Sequence, residues 1–275
     1  MVSYIMTALT ESVRKKPMIE FVDTHTHIFE PEFAEDRAAA VERAVDAGVK
    51  TLCLPCINES SLERMDEMCR EFPGICHAMI GLHPTELGDD YLSVLDMFYR
   101  RLKSVPGYIA VGEVGIDLYW DDSRKDEQID AFCRQIDWAH EMDLPLVIHS
   151  RNAFNELCAV MESNCSKNLR GVFHCFSGTG DEAEKLLSFN GFYLGIGGVV
   201  TYKKSTLPEA LAAVPLERIL LETDSPYLAP VPKRGKRNES SYIPYIAEKV
   251  AELYGCTVEH VAAVTTDNAR RLFGL

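Results

Sequence analysis

The sequence contains no long hydrophobic run and comparatively few basic residues. No apolar stretch approaches the ~18 residues that a membrane-spanning helix needs, so we expect no membrane partner. The 28 Lys and Arg are outnumbered by 42 Asp and Glu, which gives a formal net charge of −14. An acidic chain repels nucleic acid at long range. A polyanionic substrate would therefore have to be held by a local basic patch or by bound cations.

A disulfide framework is also missing from the sequence. The 9 cysteines are odd in number and scattered through predicted strands and helices, which favours a reducing compartment, and we expect a cytoplasmic protein. Residues 1–17 are weak as a signal peptide, because their apolar stretch is short and the basic residues follow it. We interpret 1–17 as an N-terminal extension and 18–275 as a single domain, since no linker or repeat interrupts the chain. No obligate protein partner is evident.

From residue 20 onward, the sequence alternates short apolar runs with amphipathic stretches. The runs have the length and the β-branched content of strands, and turn residues bound them. Eight runs are predicted strands: 21–28, 51–56, 76–82, 108–117, 145–150, 171–176, 192–199 and 219–224. Helical patterns lie between them, and two more follow near 240–254 and 257–272. The alternation predicts an α/β fold, a (β/α)8 TIM barrel with extra C-terminal helices. A doubly wound open sheet is the alternative, but no phosphate-binding glycine loop stands out.

Side chains able to bind metal lie where these strands end. Active-site residues of TIM barrels lie at the carboxyl ends of the strands. Of 8 histidines, five fall at such positions. The candidates, in chain order, are His25, His27, His83, Glu113, Asp117, His149, His174, Glu222 and Asp224. A single histidine there is usually a hydrogen-bonded rim residue, but several that converge on one end of a barrel predict a metal site.

The number of candidate ligands predicts two ions. Imidazoles and carboxylates form open sites for divalent metals. Four histidines and two carboxylates are too many for one catalytic ion that keeps a position for water. We expect Glu113 to bridge the ions, because strand 4 lies between strands 1 and 5 around the barrel. The other ligands would be His25, His27 and Asp224 for one ion, and His149 and His174 for the second.

Five ordered motifs resemble those of a known family. The segments DTHTH, VGEVGID, PLVIHSR, FHCFSG and ETDSPYL resemble the successive signatures of TatD-type metal-dependent deoxyribonucleases, within the amidohydrolase-like barrels. The resemblance runs from about residue 21 to the C-terminus. It implies hydrolysis of DNA phosphodiester bonds, commonly as a 3′→5′ exonuclease, and we expect single-stranded DNA as the partner. The metal ligands that it implies are His25, His27, Glu113, His149, His174 and Asp224. One departure is Ser240, which stands where the family usually has a rigid proline.

The expected chemistry is attack by a water molecule that two divalent ions activate. Asp224 is expected to orient this water and accept its proton, and Glu113 to hold both ions. Asp23 is expected to support a ligand imidazole, because metal-bound histidines usually donate their other N–H to an acceptor. The histidine-rich set favours Zn²⁺, Mn²⁺ or Fe²⁺ over Mg²⁺ by ligand softness, whereas the resemblance implies activity with Mg²⁺.

Substrate contacts are predicted from charge and aromatic residues at the same end of the barrel. Arg151, Lys236 and Arg237 are expected to hold phosphate groups, for which guanidinium groups are well shaped. Trp120 and Tyr227 could stack on splayed bases. His83, in the GLHP segment after strand 3, completes the expected substrate-binding set.

Two other functions stay open at this stage. An amidohydrolase-type enzyme could use the same water to attack a carbonyl carbon in a cyclic amide, a lactone or an aminoacyl-tRNA ester. Many such barrels bridge their metals with a carboxylated lysine on strand 4, where this sequence has Glu113. The second possibility is a non-enzymatic metal-binding or scaffold protein built on a degenerate barrel. Such a protein should have lost some of the metal ligands, but none is missing here.

Overall fold

A computed structural model describes residues 19–275. The predicted N-terminal extension, residues 1–17, lies outside the described residues. Within them, eight parallel strands pair in chain order, each with the next along the sequence. The strands are β1 (Phe21–Asp23), β2 (Val49–Pro55), β3 (Cys76–Ile80), β4 (Ala110–Asp117), β5 (Leu146–Arg151), β6 (Gly171–Phe173), β7 (Phe192–Ile196) and β8 (Ile219–Leu221).

The first and last strands complete the barrel. The Thr24 N–H donates to the Leu221 carbonyl at 3.1 Å, and Thr26 forms a parallel bridge with Ser225. Strand order, parallel pairing and this seam confirm the predicted (β/α)8 TIM barrel.

Helices connect the strands across the outside of the barrel. They are α1 (Arg37–Asp46), α2 (Glu59–Glu71), α3 (Tyr91–Ser104), α4 (Lys125–Met142), α5 (Phe154–Ser163), α6 (Gly180–Leu187), α7 (Leu207–Ala210), α8 (Ile243–Tyr254) and α9 (Val258–Phe273). In α4, Phe132, Ile136 and Ala139 recur at helical spacing and are buried, as amphipathic periodicity requires. Helices α8 and α9 are the extra C-terminal helices expected from the sequence. No helix among the described residues combines the length and the apolar character needed to cross a membrane.

The interior of the barrel is a packed core. Buried side chains from seven strands and from α9 form one apolar cluster, which includes Val22, Met79, Val147, Leu220 and Phe273. TIM barrels are filled in this way, so they offer no pore through the middle. The polar strand ends are consequently the place where a site can form.

Three of the predicted strands end before the candidate ligands that the sequence predicts to lie on them. Strands β1, β6 and β8 end at Asp23, Phe173 and Leu221, so the candidate ligands that follow them lie in the segments leaving the barrel. Cys175 (φ +49°) and Asp224 (φ +55°) adopt the left-handed conformation, which turns the backbone away from strand geometry. The apolar pattern of the sequence does not reveal these turns, because the side chains on either side of them are still buried. The predicted strands therefore extend too far.

Candidate metal centre and substrate cavity

Glu113 lies at the centre of the predicted ligand set. Its Oε2 atom is 3.1 Å from Nε2 of His25 and 3.6 Å from Nε2 of His27. Its Oε1 atom is 2.9 Å from Nδ1 of His149 and 3.3 Å from Nε2 of His174. The two oxygens of one buried carboxylate therefore face two different groups of imidazoles. This arrangement would suit a carboxylate shared by two cations.

Asp224 lies beside the histidine pair that follows β1. Its Oδ1 atom is 3.4 Å from Nε2 of His27 and 3.9 Å from Nε2 of His25. Its backbone N–H donates to the His25 carbonyl at 2.9 Å, which ties the two ligand segments together. Aspartate tolerates the left-handed φ of this position better than most residues do.

The donor atoms have the chemistry that divalent cations require. His25, His27 and Asp224 offer three ligand atoms within 4.8 Å of one another, and so do His25, Glu113 and His174. Burying several lone-pair donors together costs free energy unless cations or protons lie between them. Imidazole nitrogens with carboxylate oxygens suit Zn²⁺, Mn²⁺ and Fe²⁺, and the carboxylates also suit Mg²⁺. The residues present therefore fit a centre for divalent ions.

The electrostatics of the cluster attract positive charge. Burial lowers the pKa of His174, but the carboxylates of Glu222 and Glu113 outweigh it and raise the pKa to about 10. Burial also disfavours the charged form of Glu113, yet His25 and His83 bring its pKa well below the usual range. The Glu113 carboxylate is thus ionised, and its charge is balanced by protons on imidazoles or by metal ions.

Two further carboxylates lie behind the ligand imidazoles. Oδ2 of Asp117 is 2.9 Å from Nε2 of His149, and Oε1 of Glu222 is 3.0 Å from Nδ1 of His174. Metal-bound imidazoles usually have such an acceptor on their other nitrogen, which fixes the tautomer and the ring orientation. Asp117 and Glu222 thus lie where they could each support a candidate ligand imidazole.

Asp23 does not support an imidazole, contrary to expectation. Its carboxylate accepts hydrogen bonds from the Thr223 hydroxyl at 2.6 Å and from the backbone N–H groups of Thr223 and His25. Nδ1 of His25 and Nδ1 of His27 have no hydrogen-bond partner among the described residues. Asp23 therefore joins the end of β1 to the end of β8, because the β1–β8 seam leaves backbone N–H groups that need an acceptor.

Sequence reasoning missed a set of buried hydroxyl groups at this seam. Oγ1 of Thr26 lies 2.6 Å from Oγ of Ser225, and the Ser240 hydroxyl donates to Thr26 at 3.3 Å. Thr26 separates the two histidines of DTHTH, and Ser225 follows Asp224. The sequence did contain a sign of this set, because Thr26 and Ser225 are hydroxyl residues directly next to candidate ligands. Ser240, where the family usually has proline, contributes a side-chain bond that proline cannot make.

A cavity of about 690 Å³ opens above the ligand cluster. Its rim includes Trp120 and Tyr227, which are 70% and 53% exposed and come from the segments after β4 and β8. Arg151 also lines it, and within residues 19–275 it is the only Lys or Arg that does so. The structure therefore brings three predicted substrate contacts to the mouth of the candidate metal centre.

His83 lies beside the cluster and not at the rim. Its Nε2 atom is 3.4 Å from Oε1 of Glu113, and its Nδ1 atom accepts the backbone N–H of Thr85 at 3.2 Å. Because Nδ1 is an acceptor in this bond, Nε2 carries the proton and can donate into the cavity.

Lys236 and Arg237 lie outside this cavity. Arg237 donates to both carboxylate oxygens of Asp36, at 2.7 and 2.8 Å, and its guanidinium carbon lies 4.1 Å from the ring centroid of Phe33. Lys236 is exposed in the loop after β8. The contacts of Arg237 argue for a structural role, because its donors are already used by a partner on the first β/α connection.

Comparison with known proteins agrees with the barrel fold. The family model described as TatD related DNase matches residues 22–274. The chain belongs to this family. The metal-dependent hydrolase YabD of Bacillus subtilis is 38% identical over 253 residues, which cover 91% of this chain and 98% of that protein. The 3′-5′ ssDNA/RNA exonuclease TatD of Pantoea vagans is 34% identical over 92% of this chain and 99% of its own length.

A solved structure shows the same architecture for a family member. The TatD homologue YjjV of Escherichia coli superposes with a TM-score of 0.84 at 29% identity, covering 94% of this chain and 99% of that one. Family membership and the barrel together make this chain a TatD-family hydrolase.

Proposed function

We propose that this TatD-family hydrolase is a metal-dependent deoxyribonuclease that removes nucleotides from the 3′ end of single-stranded DNA. The observation that carries the proposal is the position of Glu113, whose two oxygens face two groups of imidazoles on the floor of a cavity that Arg151 lines. The exonuclease name of the Pantoea vagans relative supports the direction and the strand preference.

We propose two divalent ions as cofactors, Mg²⁺ in activity with Zn²⁺ or Mn²⁺ as alternatives. The residues that would hold them are His25, His27, Glu113, His149, His174 and Asp224. When bound, such ions supply Lewis acidity toward phosphate oxygens and lower the pKa of water.

Asp224 would act as the general base. Burial raises its pKa, but its hydrogen bond with His27 and the nearby imidazoles lower it below the usual range, so the carboxylate is ionised at neutral pH. An ionised carboxylate at the cavity wall can orient a water molecule and accept its proton. Glu113 would serve the reaction by fixing the positions of the ligands around it.

Three side chains would position the substrate. The Nε2–H of His83 can donate to a phosphate oxygen, since this imidazole is kept neutral by burial, which lowers its pKa. Arg151 would hold phosphate through its guanidinium. Trp120 and Tyr227 would stack on unpaired bases at the rim, which favours single-stranded over duplex DNA because paired bases are not accessible.

We further propose that residues 18–275 act as one domain in the cytoplasm. The candidate ligands extend from residue 25 to residue 224, so the chain between them must fold together. All nine cysteines are free thiols, which suits a reducing compartment.

The proposal is tested by digestion of single-stranded DNA labelled at the 3′ or the 5′ end, with Mg²⁺, Mn²⁺ and Zn²⁺ in turn. Stepwise loss from the 3′ end in at least one ion is expected. A matched panel of cyclic amides, lactones and aminoacyl-tRNA esters provides the comparison. Hydrolysis of a carbonyl substrate with intact DNA would overturn the nuclease function.

A further inference from the structure

A second cavity adjoins the central one. It has a volume of about 640 Å³ and is lined by the segments that follow β5 and β6. Five residues line both cavities: Ser150, Arg151, His174, Cys175 and Ser177. The second cavity is therefore a neighbour of the candidate metal centre and is separated from it by these side chains.

Arg151 lies at the boundary between the two cavities, and its guanidinium group is free to bind an anion. Its guanidinium carbon lies 3.7 Å from the ring centroid of Tyr119 and 5.3 Å from that of Trp120. Within residues 19–275 the guanidinium has no carboxylate or carbonyl partner, and no other Lys or Arg lines either cavity. A cation stacked on a ring keeps its N–H donors free at its edge. An anionic group at this boundary could therefore accept hydrogen bonds from the guanidinium of Arg151.

The walls of the second cavity are suited to a nucleobase. The rings of Tyr119, Phe154 and Phe176 line it, and aromatic faces stack on bases of any sequence. The exposed amides of Asn152 and Asn155 line it too, and an amide can pair with the edge of a base. A cavity of this volume falls in the range of small-molecule sites, so it would hold one nucleotide and not a strand.

We propose that the second cavity is a subsite for the terminal nucleoside, with Arg151 holding the phosphate at the boundary between the two cavities. The inference rests on the proposed nuclease function. In that reaction a water oxygen bonds to phosphorus, and the bond from phosphorus to the 3′ oxygen of the preceding nucleotide breaks. That oxygen takes up a proton, and the terminal nucleoside leaves with its 5′-phosphate. The subsite therefore recognises a deoxynucleoside 5′-monophosphate, which is the product.

Calorimetric titration of the whole protein, in the presence of the divalent ion that supports activity, tests this subsite. The probes are dAMP and 2-deoxyribose 5-phosphate, which differ by the base. We expect dAMP to bind about tenfold more tightly, the effect of one stacked base. Tyr119→Ala should remove this advantage, and Tyr119→Phe, which keeps the ring, should retain it. Arg151→Ala should weaken both probes by a similar factor.

The two proposals fail in different ways. The subsite would be overturned, and the nuclease function left intact, if the protein hydrolysed DNA but bound both probes equally. The same conclusion would follow if the Tyr119→Ala variant kept the full preference for dAMP. A dAMP advantage without release of nucleotides from DNA in any ion would overturn the nuclease function.

Discussion

The Asp117 carboxylate joins His149 to the aromatic segment at the cavity rim. Its Oδ2 atom lies 2.9 Å from Nε2 of His149, while its Oδ1 atom accepts the backbone N–H groups of Tyr119 and Trp120, at 2.9 and 3.4 Å. The opposite nitrogen of the same ring lies 2.9 Å from Glu113. One side chain thus orients a candidate ligand and positions the residues expected to contact DNA.

Asp117→Asn should reduce kcat by roughly 10–100-fold without loss of the fold. Asparagine keeps an oxygen for the two backbone N–H groups but removes the charge that favours an N–H on Nε2 of His149. The measurement is steady-state digestion of labelled single-stranded DNA. Asp121→Asn is the matched control, because Asp121 is exposed in the same segment. Equal rates for the two variants would show that the Asp117 charge is not needed.

His149→Ala and Asp224→Asn should each lower activity by more than about 100-fold and reduce the bound divalent metal. Asparagine is chosen at Asp224 because it accepts the left-handed φ of +55°. A chelator should inactivate the wild-type protein, and added ion should restore it. Metal content and DNA digestion are measured together, with far-UV circular dichroism to check the fold. The exposed His140→Ala variant serves as control. Full activity in either ligand variant, or after chelation, would refute the metal-dependent mechanism.

The sequence predicts the barrel and the gathering of its histidines well, and the physical reason is general. Each strand of a parallel barrel delivers its carboxyl end to the same face, so residues such as His25 and Asp224 can be assigned to one place without knowing any distance. Local sequence patterns are therefore enough to predict which residues form the site, because the barrel topology brings the strand ends together.

Partners of the charged loop after β8 were not predictable in the same way. Arg237 pairs with Asp36, which lies 201 positions earlier in the chain, and Asp23 bonds across 200 positions to Thr223. Charge alone makes Arg237 resemble its neighbours in RGKRNES. Only the packing of this loop against the first β/α connection separates a structural arginine from an exposed lysine.

Arg237→Ala should therefore lower the free energy of unfolding by roughly 1 kcal/mol, a value reduced by solvent screening because both partners are about one-third exposed. Its hydrogen bond with Arg237 holds the pKa of Asp36 well below its usual range. The pair contributes fully above the ordinary Asp pKa of about 4, and its contribution declines as the pH falls toward the lower folded-state pKa. Urea unfolding should show a larger difference from wild type at about pH 7 than at about pH 3. A difference that does not change with pH would argue against the Asp36 pair as its cause.

Lys236→Ala should leave stability unchanged, because the side chain is exposed. If the loop reaches the DNA backbone, the salt dependence of DNA affinity should become shallower, with the slope reduced by about 0.7 for one phosphate contact on a single strand. Fluorescence anisotropy over a range of salt concentrations measures this slope. An unchanged slope would limit the phosphate contacts to the cavity, where Arg151 lies.

Trp120→Ala and Tyr227→Ala should weaken binding of single-stranded DNA by about tenfold each, with little effect on kcat at saturating substrate. Both rings are exposed at the rim and lie on different segments of it, so each has a free face that a base can contact. KM and kcat from digestion of single-stranded DNA separate binding from chemistry. Leu92→Ala is the control, since Leu92 is an exposed apolar residue at the start of α3 that does not line the cavity. Because stacking needs unpaired bases, the loss should be smaller on a duplex, and an equal loss on both substrates would contradict base stacking as the source of the preference.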